Sequence, residues 1–357
     1  MIPQIEPVFG DEERLAIDIY LRSGAWLTEH IQTLELESVI ADFLGVHHCI
    51  MVTSGTMALY ATLMSLGIGP GHKVIVPAFT MIATAFAVQM TGAEVVLADI
   101  SPDTLCLDVQ SGIPMDASAI VTVHLNGRSA NMDELLLIGN SCGMYIIEDC
   151  AQGFGSTYHG ELLGGLGTAG CFSLSPHKII STGQGGFITA NDTALATEIR
   201  KFKNFGRDRV GGYDHESFGT NLKYTDLQAV VGLAQMKKLP QRIDRKRSIF
   251  AEYWMQLAGV GDIVMLPTDL GHITPWYVDI LTSNRDALVS YLDSKGIKTQ
   301  PFYPALHHTP VYQSDDSYPN AEYASERGLW LPSSLTLTNE DITTICDRIK
   351  EFYGGER

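Results

Sequence analysis

The feature that most constrains the fold is a series of short apolar segments that alternate with helical patterns. In chain order the segments are CIMV, KVIVPAF, AEVVLADI, AIVTVHL, MYIIED, GCFSL and GGFITA, and helical patterns separate most of the earlier ones. Uninterrupted apolar runs of this length are typical of strands that are buried on both faces of a sheet. The sequence therefore predicts an α/β fold with a mostly parallel central sheet that helices cover on both faces.

A change of pattern toward the C-terminus indicates a second domain. The segment TDLQAVVGLAQMKKLPQRIDRKRSIFAEYWMQL has helical spacing but contains Pro240, and shorter mixed elements follow it. Because proline removes a helical hydrogen bond, we expect this helix to be broken or kinked there. We predict a large α/β domain at residues 1–238 and a smaller α+β domain at residues 239–357. The last helix should begin with Thr338 or Asn339 as its cap.

The charge balance limits the classes of partner. The 357-residue chain has 24 Lys and Arg against 41 Asp and Glu, which gives a net charge of −17. Binding to nucleic acid or to an anionic membrane requires basic patches, so neither partner is expected. An anionic small molecule remains compatible with this charge, because a single site can be locally positive.

The cysteines and the apolar runs point to a soluble cytoplasmic protein without a metal site. The six cysteines have no metal-ligand spacing, and several lie in apolar runs, so we expect buried thiols. No apolar run reaches the roughly 18 residues that a membrane span requires. The N-terminus also lacks the pattern of a secretory signal.

The segment Gly165–Gly170 matches the dinucleotide pattern G-x-G-x-x-G, but its context is wrong for that function. A phosphate-binding version requires a strand before it and a helix after it. Here the preceding STYHGELL is polar and the following CFSLS has the pattern of a strand. We interpret the segment as a flexible turn.

Lys178 is the first of three candidate pieces of a catalytic site. It lies in FSLSPHKIISTGQGG, between a strand pattern and a glycine-rich turn. A lysine on a solvated surface is the ordinary alternative. A partly desolvated lysine, however, becomes a nucleophile that forms Schiff bases with carbonyl groups.

The second and third pieces follow two other strands. MYIIED ends in Glu148 and Asp149, at the strand end where parallel sheets bind ligands. A carboxylate there can pair with the protonated ring nitrogen of pyridoxal phosphate (PLP), although a helix cap or an ion pair would also explain it. Residues 53–56 (TSGT) stand between a strand and a helix, so their N–H groups and hydroxyls can bind a phosphate or simply cap the helix.

In this combination and order the segments resemble the DegT/DnrJ/EryC1/StrS family of PLP-dependent, fold-type I aminotransferases, which act on nucleotide-linked keto sugars. The resemblance covers nearly the whole chain. It rests on SGTMAL, LGIGPGHKVIVPAFTMIATAFAV, EDCAQGFGSTYHG, FSLSPHKIISTGQGG, GTNLKYTDLQAVVGLAQMKKL, FYPALHHTPVY and LWLPSSLTLTNEDI.

The resemblance implies roles for residues of this chain. Lys178 forms the covalent bond to PLP and shuttles protons, and Asp149 pairs with the pyridine nitrogen. Gln152 contacts the ring hydroxyl. Asn221 reaches the phosphate of a neighbouring subunit, so the active unit is a homodimer with shared sites. The residues that hold the phosphate in the same subunit are Ser54, Gly55, Thr56 and Ser173.

Three positions depart from the family pattern or require a choice of register. Met81 stands where the family usually has an aromatic residue stacked on the cofactor ring, and a thioether can cover a ring face. Lys223 stands where an arginine is frequent. His177 precedes Lys178, and some relatives that carry histidine at the lysine position are dehydratases; the five-residue spacing from Ser173 selects Lys178.

The sequence determines the substrate-binding residues and the substrate less closely than it determines the cofactor site. Tyr303, His307 and His308 are candidate substrate-binding residues, with structural histidines as the alternative, and His124 is interpreted as a strand-end residue near the cofactor. The resemblance implies amination of the C4 ketone of a nucleotide-linked 4-keto-6-deoxyhexose, of the perosamine or viosamine type, with L-glutamate as donor. Amination at C3 or of a cyclitol ketone, a sugar dehydratase and a non-catalytic regulator are the alternatives.

Overall fold

A computed structural model describes residues 1–208 and 213–354. In chain order its strands are β1 His48–Val52, β2 Lys73–Pro77, β3 Glu94–Ala98, β4 Ala119–Val123, β5 Tyr145–Asp149, β6 Thr157–Tyr158, β7 Glu161–Leu162, β8 Ala169–Ser173, β9 Gly186–Ala190, β10 Val278–Leu281, β11 Gln300–Pro301 and β12 Gly328–Leu331. The helices are α1 Asp11–Arg22, α2 Ile31–Leu44, α3 Gly55–Ser65, α4 Ala83–Thr91, α5 Met132–Cys142, α6 Thr193–Lys203, α7 Asp226–Leu257, α8 Arg285–Ser294, α9 Pro319–Arg327 and α10 Asn339–Gly354.

The centre of the molecule is a seven-stranded sheet with the order β1-β9-β8-β5-β4-β2-β3. The pairs from β8 to β3 are parallel, and β9 runs antiparallel to both of its neighbours. The predicted α/β fold with a mostly parallel sheet is therefore confirmed. The parallel strands β4, β5 and β8 place their carboxyl ends at one edge, which is where the site is built.

Both faces of the sheet are covered, as the apolar runs predict. In β1, Ile50 and Val52 pack into the core cluster that contains α3 and α6. Their neighbours Cys49 and Met51 pack into a second cluster, together with residues of α2 and α7. Because successive side chains of a strand point to opposite faces, this division requires a helical layer on each side.

The C-terminal part is organised around a smaller sheet and a long helix. Its three antiparallel strands have the order β10-β12-β11, and α7, α8 and α10 contribute to the core around them. Helix α7 is continuous through Pro240 over 32 residues and is not broken there. It also crosses the boundary predicted after residue 238, and the division into two domains stays a prediction.

Two further expectations concern the cap of the last helix and the absence of a membrane-spanning helix. Thr338 caps α10, since its Oγ1 accepts the N–H of Asp341 at 3.1 Å. Across residues 1–208 and 213–354, no helix combines the length and the apolar composition that crossing a bilayer would require.

Candidate active site

Asp149 is the last residue of β5 and is 6% exposed. Its carboxylate accepts hydrogen bonds from the hydroxyl of Thr84 at 2.8 Å and from the N–H of Ala151 at 3.0 Å. Burial raises the pKa of Asp149, while these bonds and the charge of Lys178 act in the opposite direction. A buried carboxylate whose hydrogen-bond donors are both neutral suits a cationic ligand, because the ligand would supply the missing charge.

The neighbouring carboxylate, Glu148, points to the other side of β5 and has a structural role. It is fully buried, 3.0 Å from Nε2 of His124, and it accepts the N–H groups of Gly164, Leu166 and Gly167. Burial alone would raise the pKa of Glu148, but these contacts keep it below the ordinary value. The segment with the dinucleotide pattern is thus a turn that binds a carboxylate of the same chain, and it is held in place by that contact.

Lys178 lies in the loop after β8 and is partly buried. Its Nζ is 4.0 Å from the ring centroid of Trp276, whose Nε1 donates to the carbonyl of His177 at 2.9 Å. Burial lowers the pKa of Lys178 to about 8, against the opposing attraction of Asp149. The lowered pKa increases the fraction of this amine that is neutral near physiological pH, and the neutral form is what a nucleophile or a general base requires.

His177, the neighbouring candidate for the lysine position, is neutral near pH 7. Burial and the charge of Lys178 lower its pKa to about 4. Its imidazole lies 5.6 Å from the Trp276 ring, between ring centroids. The electrostatic interaction with Asp149 involves Lys178, which favours Lys178 as the reactive residue.

The N-terminus of α3 and the end of β8 form a cradle. Ser54 caps α3 by accepting the N–H of Met57 at 3.2 Å. A Cβ added at Gly55 would lie 2.9 Å from Cβ of Ser173, so only glycine allows these two segments to come so close. Thr56 is partly buried in the first turn of α3. Unpaired N–H groups at a helix start, with hydroxyls beside them, form a suitable site for a phosphate.

Gln152 and Met81 occupy different environments. Gln152 is 8% exposed, and its Oε1 accepts the N–H of Asn126 at 2.7 Å. It lines the same cavity as Ser173 and Lys178. Met81, just before α4, is 47% exposed, and its contact with the cofactor ring stays a prediction.

The predicted substrate residues are distributed over buried and exposed positions. Tyr303 is near Asp149, and burial together with its neighbours Tyr277 and Asp149 raises its pKa. His307 is 1% exposed and lies 3.2 Å from Glu322 between Nε2 and Oε1. His308 is exposed. The roles of the three stay predictions.

Asn221 lies at the surface, between β9 and α7 in the chain. It is exposed, and its side-chain oxygen accepts the N–H of Lys223 at 3.3 Å. Its predicted role requires a second subunit and stays a prediction.

Three residues near the reactive groups are absent from the sequence-based prediction. Thr84 bonds Asp149, Trp276 faces Lys178, and Lys246 from α7 donates to the carbonyl of Trp276 at 2.7 Å. Thr84 follows Met81 closely and could have been suspected from the same segment. Trp276 and Lys246 lie far along the chain, and no local pattern marks them.

Tested against this geometry, the residues fit PLP. A cradle for a phosphate, a buried carboxylate for a ring nitrogen and an amine of lowered pKa lie at one edge of the mostly parallel sheet. Together they define a PLP-dependent aminotransferase of fold type I.

The comparisons with known proteins agree. The profile of the "DegT/DnrJ/EryC1/StrS aminotransferase family" matches residues 7–350, and the chain belongs to this family. GDP-perosamine synthase from Escherichia coli O157:H7 is 33% identical, with 99% of both chains covered. A dTDP-4-dehydro-2,3,6-trideoxy-D-glucose 4-aminotransferase from Saccharopolyspora spinosa is 31% identical, covering 98% of this chain and 96% of the relative. The crystal structure of S. venezuelae DesV in complex with a ketimine intermediate superposes with a TM-score of 0.91 at 32% identity, covering 98% of this chain and 99% of DesV.

Proposed function

We propose that the protein transfers an amino group from L-glutamate to the C4 ketone of a nucleotide-linked 4-keto-6-deoxyhexose. The observation that carries this proposal is a buried Lys178, whose pKa burial lowers to about 8, within electrostatic reach of the buried carboxylate of Asp149 in a chain of this family. Similarity to a GDP-perosamine synthase and to a 4-aminotransferase favours C4 over C3. The product would be an amino sugar for a surface polysaccharide such as an O-antigen.

Each site residue has one task in this proposal. PLP, when bound, supplies an electron sink for the carbon that loses its proton. Asp149 keeps the ring nitrogen protonated, and Gln152 binds the ring hydroxyl. Lys178 takes a proton from one carbon and returns it at another, which requires its neutral form. The phosphate is held by Ser54, Gly55, Thr56 and Ser173, and Met81 covers the ring.

The substrate side of the proposal rests on fewer contacts. We propose that Tyr303, near Asp149, and the exposed His308 contact the hexose or its phosphates, since His307 already contacts Glu322. The two named relatives act on GDP- and dTDP-linked sugars, so the base is left to experiment.

We also propose that the protein is cytoplasmic and forms a homodimer in which each active site contains residues of both subunits. Asn221 is exposed, which suits a contact across an interface. An apolar surface lies near the start of α2, formed by Trp26, Leu27, Ile31 and Leu34, each at least 50% exposed. A patch of this kind on a soluble chain favours association.

The first test is the visible absorption spectrum of the protein with PLP, before and after an excess of L-glutamate. A band of lysine-linked PLP that converts to the spectrum of the amine form would support the first half-reaction. Lys178→Ala should lack the band, and Lys237→Ala, at an exposed position of α7, should keep it. A wild-type protein without the band would contradict the proposal.

The second test identifies the acceptor. GDP-, UDP- and dTDP-linked 4-keto-6-deoxyhexoses are offered separately with L-glutamate, and the products are examined by mass spectrometry and NMR. A 4-amino sugar supports the proposal. A 3-amino sugar would support the C3 alternative, and a deoxygenated sugar without nitrogen would support the dehydratase.

A further inference from the structure

Trp276 is fixed from two sides by hydrogen bonds. Its indole Nε1 donates to the carbonyl of His177 at 2.9 Å, and its own carbonyl accepts Nζ of Lys246 at 2.7 Å. Lys246 also donates to the carbonyl of Ser333 at 2.6 Å. Trp276 is 7% exposed, so the ring is part of the core rather than a mobile surface group.

The backbone on either side of Trp276 is held as well. The N–H of Tyr277 donates to Oδ1 of Asn126 at 2.7 Å, and the N–H of Thr274 donates to Oγ of Ser156 at 2.9 Å. The indole also packs edge-to-face against Trp330, at 5.8 Å between ring centroids. A ring held in this way keeps its position when a neighbouring side chain moves.

The face of this ring lies under the reactive amine. Nζ of Lys178 is 4.0 Å from the ring centroid, well within the distance at which a cation is attracted by an aromatic face, and tryptophan attracts cations most strongly. In the proposed function Lys178 leaves and rejoins the cofactor in every turnover. During that interval its amine needs a defined position from which it can return.

We propose that the face of Trp276 is the resting position of the Lys178 amine whenever this amine is not bonded to the cofactor, and that Lys246 keeps the indole in place. Trp276 and Lys246 are thus positioning residues. This inference rests on the proposed function, since it assigns the position of a lysine that is released and recaptured.

The charges around Lys178 explain why an aromatic face is useful there. Asp149 favours the ammonium form, while burial disfavours it. The other ionisable groups that share a cavity wall with Lys178 are Glu6, His177, Arg242 and Lys246. An indole stabilises the ammonium form without a second carboxylate, which would hold the amine protonated throughout the working pH range.

The test measures the titration of Lys178 in the cofactor-free protein. Trace acetylation with acetic anhydride is followed across pH by peptide mass spectrometry, with the exposed lysines as internal references. Tryptophan is replaced biosynthetically by its mono-, di- and trifluorinated forms, which weaken the negative ring face with little change in size. We expect the midpoint of Lys178 to fall stepwise, by about half a pH unit to one unit over the series.

Matched variants assign the effect to one ring. In Trp276→Phe the midpoint should no longer respond to fluorination, whereas in Trp254→Phe, at a 43% exposed position, the full response should remain. Lys246→Met should reduce the response, and Lys237→Met should not. Circular dichroism checks that each variant is folded.

The role of Trp276 would be overturned if the midpoint of Lys178 stayed unchanged across the fluorinated tryptophans. It would also be overturned if the midpoint responded to fluorination equally in Trp276→Phe and in the wild type. An undiminished response in Lys246→Met would overturn the role of Lys246. None of these measurements uses PLP or a substrate. Failure of the inference is therefore distinguishable from failure of the proposed function, which the visible spectrum tests.

Discussion

At the scale of single residues, the site depends on ionisable groups whose surroundings oppose their charged forms. Burial raises the pKa of Asp149 and lowers the pKa of Lys178 to about 8. Each group is therefore suited to a ligand: Asp149 to a cationic group and Lys178 to a carbonyl group. The chemistry of the site follows from where these two side chains are buried as much as from which residues they are.

We expect Asp149→Asn to reduce the turnover rate at least about 100-fold. Without this carboxylate the ring nitrogen would not stay protonated and the electron sink would weaken, and each 1.4 kcal/mol added to the barrier is about a factor of ten in rate. Steady-state kinetics with L-glutamate measure the loss. Asp116→Asn, at an exposed carboxylate paired with Lys73, is the control and should keep its rate. An unaffected Asp149→Asn enzyme would mean that another group protonates the ring.

Lys246 should give the folded protein a distinctive pH dependence. Burial lowers its pKa to about 7, whereas a lysine in the unfolded chain has a pKa of about 10.4. Between these values the unfolded state binds more protons, so the free energy of unfolding rises with pH by up to about 1.4 kcal/mol per unit. Lys246→Met lacks this contribution. The difference in unfolding free energy, wild type minus variant, should therefore grow from pH 7 to pH 10.

Urea denaturation at several pH values measures this difference. Lys178 titrates in the same range, so its midpoint is measured in both proteins by trace acetylation and its contribution is subtracted. Lys237→Met, at an exposed position of the same helix, should remain parallel to the wild type. A constant difference between wild type and Lys246→Met would show that Lys246 keeps its charge over the whole range.

At the scale of elements, local sequence patterns predicted what a strand or a helix does by itself. The end of β5 at Asp149 and the capped start of α3 at Ser54 both follow from apolar runs and cap residues. The contacts of Trp276 with Lys178 could not be predicted, because they arise only when distant segments pack together. The continuity of α7 through Pro240 was missed for the same reason, since packing of the rest of the helix outweighs one lost hydrogen bond.

Gly55→Ala tests the contact between α3 and β8. The added Cβ would lie 2.9 Å from Cβ of Ser173, so the two segments must separate. We expect a stability loss of about 1–3 kcal/mol and weaker binding of PLP. Urea denaturation and a PLP titration measure both effects. Gly69→Ala is the control, because its Cβ would meet its nearest neighbour at an ordinary 3.5 Å. Unchanged PLP affinity in Gly55→Ala would contradict the predicted cradle.

At the scale of the whole molecule, the large and the small sheet are joined by a buried ion pair as well as by α7. Arg128, after β4, donates from two nitrogens to Asp279 of β10, at 2.6 and 2.8 Å, and both residues are 1% exposed. The pair connects the sheet that carries the site with the sheet that follows Trp276 in the chain. Trp276 lies just before β10, which carries Asp279, so a displacement of this ion pair would also displace Trp276.

We expect Asp279→Asn to destabilise the protein by about 3–5 kcal/mol, since it leaves a buried guanidinium unpaired. The double variant Arg128→Met/Asp279→Leu should lose less than Asp279→Asn alone, because no charge then remains buried. Urea denaturation compares the variants. A double variant less stable than Asp279→Asn would assign the stability to the pair itself rather than to the cost of an unpaired charge.

Mixed dimers test the proposed shared sites. Lys178→Ala and Asn221→Ala are each expected to be impaired alone. When subunits of the two are exchanged, one site of each mixed dimer combines an intact Lys178 with an intact Asn221 from the other chain. Activity should then rise well above the mean of the separate proteins. The control is a mixture of Lys178→Ala with Asp149→Asn, whose defects lie in the same subunit's site. An Asn221 mixture without a gain would argue that each subunit's site is its own.

Helix α7 has a consequence for how this chain can be altered or divided. At 32 residues it is about 48 Å long, and it runs without a break from the side of α1 and α2 to the core around the small sheet. Because the helix is continuous, a rotation of its N-terminal part about the helix axis would also turn its C-terminal part. Fragments cut within α7 would expose a severed apolar stripe, and exchange of C-terminal parts between relatives would have to preserve the helical phase across the junction.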